Sequence, residues 1–239
     1  MTIPEYLDDI LSKYSDRRVT RKITTFVERI IADTSLQLWS LSSDKAEFER
    51  YKRLLDGSLK SELDAQTLSA ALREAGRDQA DDQEEVVLLH DPCDIRKPYA
   101  SALECLGTVR SLDGALIPGY SSFETVLVDE RGRDPQPFDM SFYSTGDPHY
   151  VTEDELRFVR QGTLARQVSA ERAAEIAQFL KEDSYVNLNR VFRTQLRRVS
   201  EQVKATMPNK AVWHILDRQF DGEAYAHFID QELHDLCVI

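Results

Sequence analysis

Residues 86–91 read VVLLHD, and this stretch decides the fold class that the sequence predicts. A short run of consecutive apolar residues is typical of a strand that is buried on both faces of a sheet. Because the proline at position 92 has no N–H to donate to a central ladder, we expect the strand to end there. A second run of this kind, VWHIL at residues 212–216, ends at Asp217. The sequence therefore predicts two buried strands, each of which leads into an aspartate.

The segments between and after these two strands predict an α/β mixed sheet. Residues 123–128 and 137–143 flank DERGRD at 129–134, a polar stretch rich in turn-forming residues, and so predict a hairpin. An antiparallel hairpin that feeds parallel strands through helices gives such a sheet. Helical spacing or capping residues predict helices that begin near Thr152, Ser169, Asn187 and Gly222. A further apolar strand is predicted to begin at Cys237.

The first 80 residues predict a separate helical region. Apolar residues recur at helical spacing over residues 23–31 and 54–72, without strand-like alternation. Residues 77–85, RDQADDQEE, form a charged connector. We therefore predict an N-terminal helical bundle over residues 1–80 and an α/β domain over residues 81–239.

The acidic residues are concentrated in the middle of the chain. The whole sequence of 239 residues has a formal net charge of −12. Residues 81–150 alone hold 5 basic and 14 acidic residues, which is a net charge of −9. Such a concentration suits a cation site, and a solvated acidic loop region gives it equally well. Charge alone does not separate the two.

Cysteine and apolar content argue against several classes of protein. The three cysteines, at positions 93, 105 and 237, are far apart and form no CxxC pair, which disfavours a disulfide framework and a zinc site. No apolar stretch approaches the roughly 20 residues that span a bilayer. The N-terminal MTIPEYLDDI has acids where a signal peptide has basic residues. We expect a cytoplasmic protein with no membrane partner.

Asp91 and Asp217 are the candidate catalytic residues and metal ligands. In open α/β sheets, functional groups gather at the carboxyl ends of strands. If the two strands are neighbours, the two carboxylates meet, and they repel each other unless they are protonated or bind a cation. Oxygen-rich acidic sites suit Mg²⁺ or Mn²⁺. The alternative is that each aspartate only caps the turn or helix that follows it.

The neighbouring histidines are predicted to pack in the interior. Strand alternation points the side chain of His90 away from that of Asp91. His214 lies three residues before Asp217. We expect both histidines to be packing residues and not catalytic ones.

Basic clusters are the candidate nucleic-acid contacts, because neutralising phosphates drives most of the affinity for DNA. In the C-terminal third, Arg190, Arg193 and Arg197 share one helix face by their spacing, and Arg198 and Lys204 extend the same stripe. The other candidates are Arg17, Arg18, Arg21 and Lys22 near the N-terminus, and Arg96 and Lys97 after the first strand. The alternative is that each cluster is a solvated face paired with nearby acids.

Two segments resemble blocks of bacterial insertion-sequence transposases of the DDE class, which have a ribonuclease H-like fold. The segments are VVLLHDPCDIRKPYASALECLG at 86–107 and VWHILDRQFDGEAYAHFIDQELHDLCVI at 212–239. In that family one apolar strand ends in the first catalytic Asp and a later strand ends in the second, commonly as Asp-Arg. Asp91 matches the first position, and Asp217, which Arg218 follows, matches the second. The stretches that match the family's second and third strands are residues 117–130 and 138–148.

The resemblance covers roughly residues 85–239 and implies a metal-dependent DNA transposase core. Asp91 and Asp217 would hold Mg²⁺ or Mn²⁺ for attack on DNA phosphates by water and then by a 3′-hydroxyl. The N-terminal helices lie where such transposases keep a region that binds DNA ends. The implied partners are transposon-end and target DNA, and either a second copy or a full-length transposase. The implied location is the bacterial cytoplasm, at the nucleoid.

The sequence departs from the family at the third catalytic acid. The family has a Glu on a later helix, within a Tyr-x2-Arg-x3-Glu-x6-Lys pattern, and that pattern does not occur in this sequence. Glu223 and Glu232 lie on the helix predicted after Asp217, which is the wrong element for the role. We therefore expect a ribonuclease H-like sheet that is incomplete at its C-terminal end, and a chain that is inactive alone in the sense that it carries out little or no strand transfer.

Two other interpretations stay open at this point. In the first, the chain is a non-catalytic remnant that binds DNA or dimerises, and so inhibits a full-length transposase. Alternatively it is an unrelated α/β phosphodiesterase, whose acids bind metal without any dependence on specific DNA ends.

Overall fold

The computed structural model describes residues 11, 17–33, 41–55, 80, 83–100, 103–129, 131–132, 135–162, 168–217, 220 and 222–238. The chain divides into two compact units, Met1–Asp78 and Gln79–Ile239. The helical spacing predicted after position 55 and most of the predicted connector lie outside the described residues.

Two helices, α1 (Arg17–Asp33) and α2 (Lys45–Leu55), form the described part of the first unit. Helix α1 covers the helical spacing predicted over residues 23–31, whereas α2 lies almost wholly before the spacing predicted over residues 54–72. The predicted bundle stays a prediction, because most of it lies outside the described residues. Phe26 of α1 packs against Tyr51 of α2 with ring centroids 4.8 Å apart, and Leu41 completes the buried cluster. Burial of this apolar surface stabilises the pairing of the two helices.

A mixed sheet forms the centre of the second unit. In the described residues its strands are β1 (Glu85–Arg96), β2 (Gly107–Arg110), β3 (Leu116–Val128), β4 (Gln136–Tyr143), β5 (Ala211–Leu216) and β6 (Leu236–Val238). Their order is β2–β3–β1–β5–β6, and β4 also pairs with β3. Strand β3 is antiparallel to β1, β2 and β4, whereas β1, β5 and β6 run parallel. The predicted hairpin and the predicted α/β mixed sheet are confirmed.

The prediction that the first strand ends at Pro92 is wrong. Strand β1 continues through Pro92 to Arg96 and stays paired with β3. Strand β5 pairs only with residues 85–90 of β1. Beyond that point no described strand pairs with β1 on the β5 side, and strands tolerate proline where they are not paired on both sides. Asp91 therefore lies inside a strand and not at the end of one.

The helices of the second unit follow the predicted order. In the described residues they are α3 (Glu153–Gln161), α4 (Ala170–Glu182), α5 (Leu188–Thr206) and α6 (Glu223–Phe228), and a π-helical turn (Ile229–Leu233) continues α6. Thr152 caps α3 through the predicted capping box with Glu155. The side chain of Asn187 accepts a hydrogen bond from the Arg190 N–H at the start of α5. No helix within the described ranges is long and apolar enough to cross a membrane.

Helix α5 covers one face of the sheet. Alternation along β1 buries Val86, Leu88 and His90 on that face. The buried residues of α5 are Phe192, Gln195, Leu196, Val199, Ser200 and Val203. They join the strands in two apolar clusters, one around Leu88 and Val199 and the other around Phe192 and Leu196. This core fixes the three central strands against one helix.

Candidate functional site

Asp91 and Asp217 each directly follow the last residue pair that joins β1 and β5. In the register of these two strands that pair is His90 with Leu216. His90 and Leu216 are buried, whereas Asp91 and Asp217 are exposed. Strand alternation places Asp91 on the face opposite to His90, and the chain turns at Asp217, whose carbonyl oxygen accepts a hydrogen bond from the Phe220 N–H. The two predicted acids therefore occupy corresponding positions directly after one strand pair.

A third carboxylate, Glu124 of β3, lies directly across from Asp91 in the strand register. Directly opposed residues share one face of an antiparallel pair. The Cys93 thiol donates to Oδ2 of Asp91 over 3.6 Å. Burial, together with the charges of Asp91, Glu124 and Asp94, raises the pKa of this thiol. No local sequence pattern indicates Glu124, because its position depends on the register between distant strands.

The residues present fit a hard divalent cation that keeps part of its water shell. Mg²⁺ typically binds through one or two carboxylates, waters and substrate phosphates. Asp91 and Asp217 supply oxygen ligands of this type. Within the part of the chain that the structure describes, no group of three or more His, Cys, Asp or Glu side chains is arranged to hold a metal ion. A metal at this pair would therefore take waters or phosphate oxygens as its other ligands.

The two histidines near these acids are buried on the α5 side of the sheet. His90 is 4% exposed and His214 is 0% exposed. Nε2 of His90 lies 2.9 Å from Nδ1 of His214, and Nε2 of His214 lies 3.1 Å from Oδ2 of Asp235. Burial, with a smaller contribution from His214, lowers the pKa of His90 well below its usual value of 6.5. The prediction that both histidines pack in the interior is confirmed.

A groove of about 660 Å³ holds the predicted basic face of α5. The arginines that line it are Arg160, Arg190, Arg193 and Arg197. Asp183 pairs with Arg190, and Glu232 pairs with Arg197 at 2.9 Å. The guanidinium of Arg193 lies over the rings of Tyr225 and Phe228, 5.7 and 5.2 Å from their centroids. We call this surface the arginine groove.

Two of the arginines in the groove have no acidic partner. Among the described residues, neither Arg193 nor Arg160 forms an ion pair, and Nε of Arg193 is buried without a hydrogen-bond acceptor. Arg160 belongs to α3, so no spacing within α5 indicates it. Arg198 and Lys204, which extend the predicted stripe, turn elsewhere and pair with Asp139 and Asp235, each at 2.6 Å.

A basic pocket of about 440 Å³ lies between α1 and α2. The cations that line it are Arg18, Arg21, Lys22 and Arg50. Arg17 is exposed and does not line the pocket. The carboxylate of Glu47 also lines it, and hydrogen bonds from the hydroxyl and the N–H of Ser43 lower the pKa of Glu47 to about 2. Arg50 comes from a different helix, which is why the N-terminal cluster alone does not indicate it.

Arg96 and Lys97 lie away from the two acids. Arg96 is five residues beyond Asp91 along β1, which is roughly 16 Å at the rise of an extended strand. Its Nε donates to the carbonyl oxygen of Arg110 over 2.8 Å, and Arg96 lines a separate cleft of about 760 Å³. Lys97 is exposed. The structure therefore does not bring these two residues to the acid pair.

Comparison with known proteins gives no relative: no protein-family model matches this chain, and no curated protein matches it. The resemblance to DDE transposases therefore rests on the two sequence blocks.

The buried His90 predicts a stability that depends on pH. Because its pKa in the folded protein is lowered, the unfolded chain binds more protons below about pH 6.5, and the free energy of unfolding falls as the pH falls. One such histidine contributes a slope of up to about 1.4 kcal/mol per pH unit. Urea unfolding of the full chain between pH 7.5 and pH 5.5 measures this slope, with Trp213 as the fluorescent reporter in a Trp39→Phe background.

The matched variant is His90→Gln, which keeps a polar side chain but cannot take up the proton. We expect its free energy of unfolding to depend less steeply on pH over the same range. A wild-type stability that does not change between pH 7.5 and pH 5.5 would contradict the assignment of a buried neutral His90.

Proposed function

We propose that residues 79–239 form the core of a DDE-type transposase with a ribonuclease H-like fold. Asp91 and Asp217 hold Mg²⁺ or Mn²⁺ beside a DNA phosphodiester. The observation that supports this proposal is the register of β1 and β5, in which the last pair, His90 with Leu216, directly precedes the two exposed aspartates. Carboxylates in such a position repel each other unless a proton or a cation lies between them.

The succession of elements around the pair supports the proposal. The resemblance implies a first strand with an Asp, two further strands, a later strand that ends in an Asp, a helix and an apolar strand. The chain has β1, the β3–β4 hairpin, β5, α6 and β6 in that order. These strands form one sheet, in which β5 and β6 run parallel to β1.

Asp91 and Asp217 would bind the cation and set its position beside the phosphate. When bound, a divalent cation supplies Lewis-acid polarisation of the phosphate and an activated attacking oxygen. The third acid of the family has no counterpart at this place among the described residues. Glu223 is exposed on α6, and Glu232 is paired with Arg197. We therefore propose that this chain binds metal and nicks DNA slowly, and that strand transfer requires a further acid.

The arginine groove and the basic pocket are the proposed DNA contacts. Arginine forks suit phosphate oxygens, and each phosphate that is neutralised releases counterions from the duplex. Arg160 and Arg193 are free of acidic partners among the described residues, so they lose no ion pair when a phosphate binds. Arg50 adds a cation to the N-terminal cluster.

Nicking of supercoiled plasmid DNA, which carries the sequences that flank the coding region, tests the metal site. We expect slow nicking that requires Mg²⁺ or Mn²⁺, and a loss of about 100-fold in Asp91→Asn or Asp217→Asn, because metal assistance is worth several kcal/mol. Asp94→Asn is the matched control. Asp94 lies on the same strand, and its carboxylate accepts a hydrogen bond from Ser121 at 3.1 Å. Nicking by this variant should stay within about threefold of wild type, as for a surface substitution away from the site.

Two results would contradict this function. One is the absence of any metal-dependent nicking by the wild-type chain. The other is robust nicking that survives Asp217→Ala, since a nuclease activity of that kind would not use this pair.

Fluorescence anisotropy with a labelled 20-bp duplex tests the arginine groove. We expect Arg193→Gln and Arg160→Gln to weaken binding, and to reduce the slope of log affinity against log salt by about 0.9 for each phosphate contact that is lost. Arg157→Gln removes the same charge from the same helix as Arg160, but Arg157 is exposed and does not line the groove. An equal loss in all three variants would mean that overall charge, and not the groove, governs binding.

A second candidate function is a non-catalytic DNA-binding or dimerising inhibitor of a full-length transposase. The observation that favours it is that the described residues hold two basic surfaces but no group of three or more His, Cys, Asp or Glu side chains arranged to hold a metal ion. Sequencing the DNA downstream of codon 239 separates the two. A frame that continues into that pattern supports a split enzyme, and unrelated sequence supports the inhibitor.

A further inference from the structure

A chain of buried polar side chains crosses the sheet beneath the two acids. It runs from Gln195 of α5 to Thr125 of β3, His90 of β1, His214 of β5 and then Asp235, which precedes β6. The five side chains belong to residues that are between 0% and 6% exposed. This hydrogen-bond chain returns to α5, because the Ser200 hydroxyl and the Lys204 ammonium both bind the Asp235 carboxylate. Helix α5 thus contributes a side chain at both ends of the hydrogen-bond chain.

The hydrogen bonds in this chain can be assigned one direction. Nε2 of Gln195 lies 3.1 Å from the carbonyl oxygen of Phe123, which only accepts, so the amide nitrogen must face that side. The same nitrogen donates to Oγ1 of Thr125 over 2.7 Å. The hydroxyl of Thr125 keeps its own hydrogen, and we assign that hydrogen to the bond with Nδ1 of His90 at 3.0 Å. In this assignment Nδ1 of His90 is an acceptor.

The two histidine tautomers follow in turn. Since Nδ1 of His90 accepts, its hydrogen is on Nε2 and donates to Nδ1 of His214. The hydrogen of His214 is then on Nε2 and donates to Asp235. The state of Asp235, at the other end of the hydrogen-bond chain, supports the same direction. Hydrogen bonds from His214, Lys204 and Ser200 lower the pKa of Asp235 and outweigh its burial, so this group is an ionised acceptor. All donors point toward Asp235.

The His90–His214 bond fixes the register that brings the acids together. In the pairing of β1 with β5, Leu88 lies opposite His214 and His90 lies opposite Leu216. The bond is therefore a diagonal link between neighbouring strands, one residue before Asp91 and three before Asp217. A shift of one residue would turn the His214 side chain to the other face of the sheet. The link cannot survive such a shift.

We propose that this one-way hydrogen-bond chain is the positioning device for the acid pair, a proposal that rests on the proposed metal site. His90, His214 and Asp235 do not touch the metal or the DNA. They hold β1 and β5 in the register that places Asp91 level with Asp217. Residues behind metal ligands commonly change metal affinity by 10- to 100-fold when they are replaced.

In this direction each hydrogen of the chain faces one acceptor. A hydrogen on Nδ1 of His214 would face the Nε2 hydrogen of His90, and one on Nδ1 of His90 would face the hydroxyl hydrogen of Thr125. The charged groups that face the histidines on this side are Lys204 from α5 and Asp235. Cys237 of β6, whose pKa is raised by burial, lies opposite His214 in the register. The charges of Asp91 and Asp217 act on the histidines only through the sheet.

The first test is the tautomeric state of the histidines in the full chain. Long-range ¹H–¹⁵N spectra at pH 7.5 should show the rings of His90 and His214 as neutral Nε2–H forms, with each signal assigned by its loss in His90→Gln or His214→Gln. An Nδ1–H form or an imidazolium at either ring overturns the direction of the chain.

The second test is the affinity for Mn²⁺, measured by titration on variants whose folding is verified. His214→Gln keeps an acceptor for His90 and a donor for Asp235, so its affinity should stay within about threefold of wild type. His214→Leu removes both and should weaken Mn²⁺ binding by about tenfold or more. Val199→Ala, a core change on α5 outside the chain, should lower stability without changing the affinity. If His214→Leu does not fold, the isosteric Thr125→Val, which leaves Nδ1 of His90 without a donor, takes its place.

The outcomes separate this inference from the proposed function. If wild type does not bind Mn²⁺, or if Asp91→Asn and Asp217→Asn leave the affinity unchanged, the metal site fails and the positioning role fails with it, whatever the spectra show. If Mn²⁺ binding depends on both acids but His214→Leu retains it, or loses no more than Val199→Ala does, the positioning role is overturned and the metal site stands.

Discussion

The parallel pairing of β1 with β5 is the constraint on which the rest of this unit depends. It joins segments whose histidines are 124 positions apart in sequence, so closing the loop between them costs substantial chain entropy. Apolar burial under α5 offsets that cost, since Val86 and Leu88 of β1 and Val212 of β5 pack with Val199 in one cluster. The same pairing ends at His90 and Leu216, and the two acids, Asp91 and Asp217, follow it directly.

As a result, the two faces of the sheet have different roles. On the α5 side, apolar clusters and the histidine chain specify one register, because a slip would leave buried donors and acceptors without partners. On the other side, Asp91 and Glu124 lie opposite each other on β1 and β3, and Asp217 directly follows β5. Carboxylate oxygens are the ligands that hard divalent cations take.

Much of the fold follows from local sequence, whereas the details of the site do not. Apolar runs, turn residues and capping residues are local signals, and they predict β5, the β3–β4 hairpin and the capping box at Thr152. The continuation of β1 through Pro92 depends on where β5 stops pairing, which is a property of another segment. Glu124 lies opposite Asp91 because of the register between β1 and β3. Asp235 reaches His214 because of the turn that precedes β6. The alternation that points His90 inward is predictable, but its hydrogen-bond partners are not, because Thr125 and His214 come from two strands that are distant in sequence.

The central claim is that β1 and β5 together create one cation site. The most direct measurement is an anomalous difference map from crystals of the chain soaked in Mn²⁺. The account predicts one peak in contact with both the Asp91 and the Asp217 carboxylates, at the roughly 2.0–2.3 Å of hard-cation oxygen ligation, and its loss in Asp217→Asn. A peak on Glu124 or Asp94 that does not involve Asp217, or the same Asp91 peak in Asp217→Asn, would contradict it.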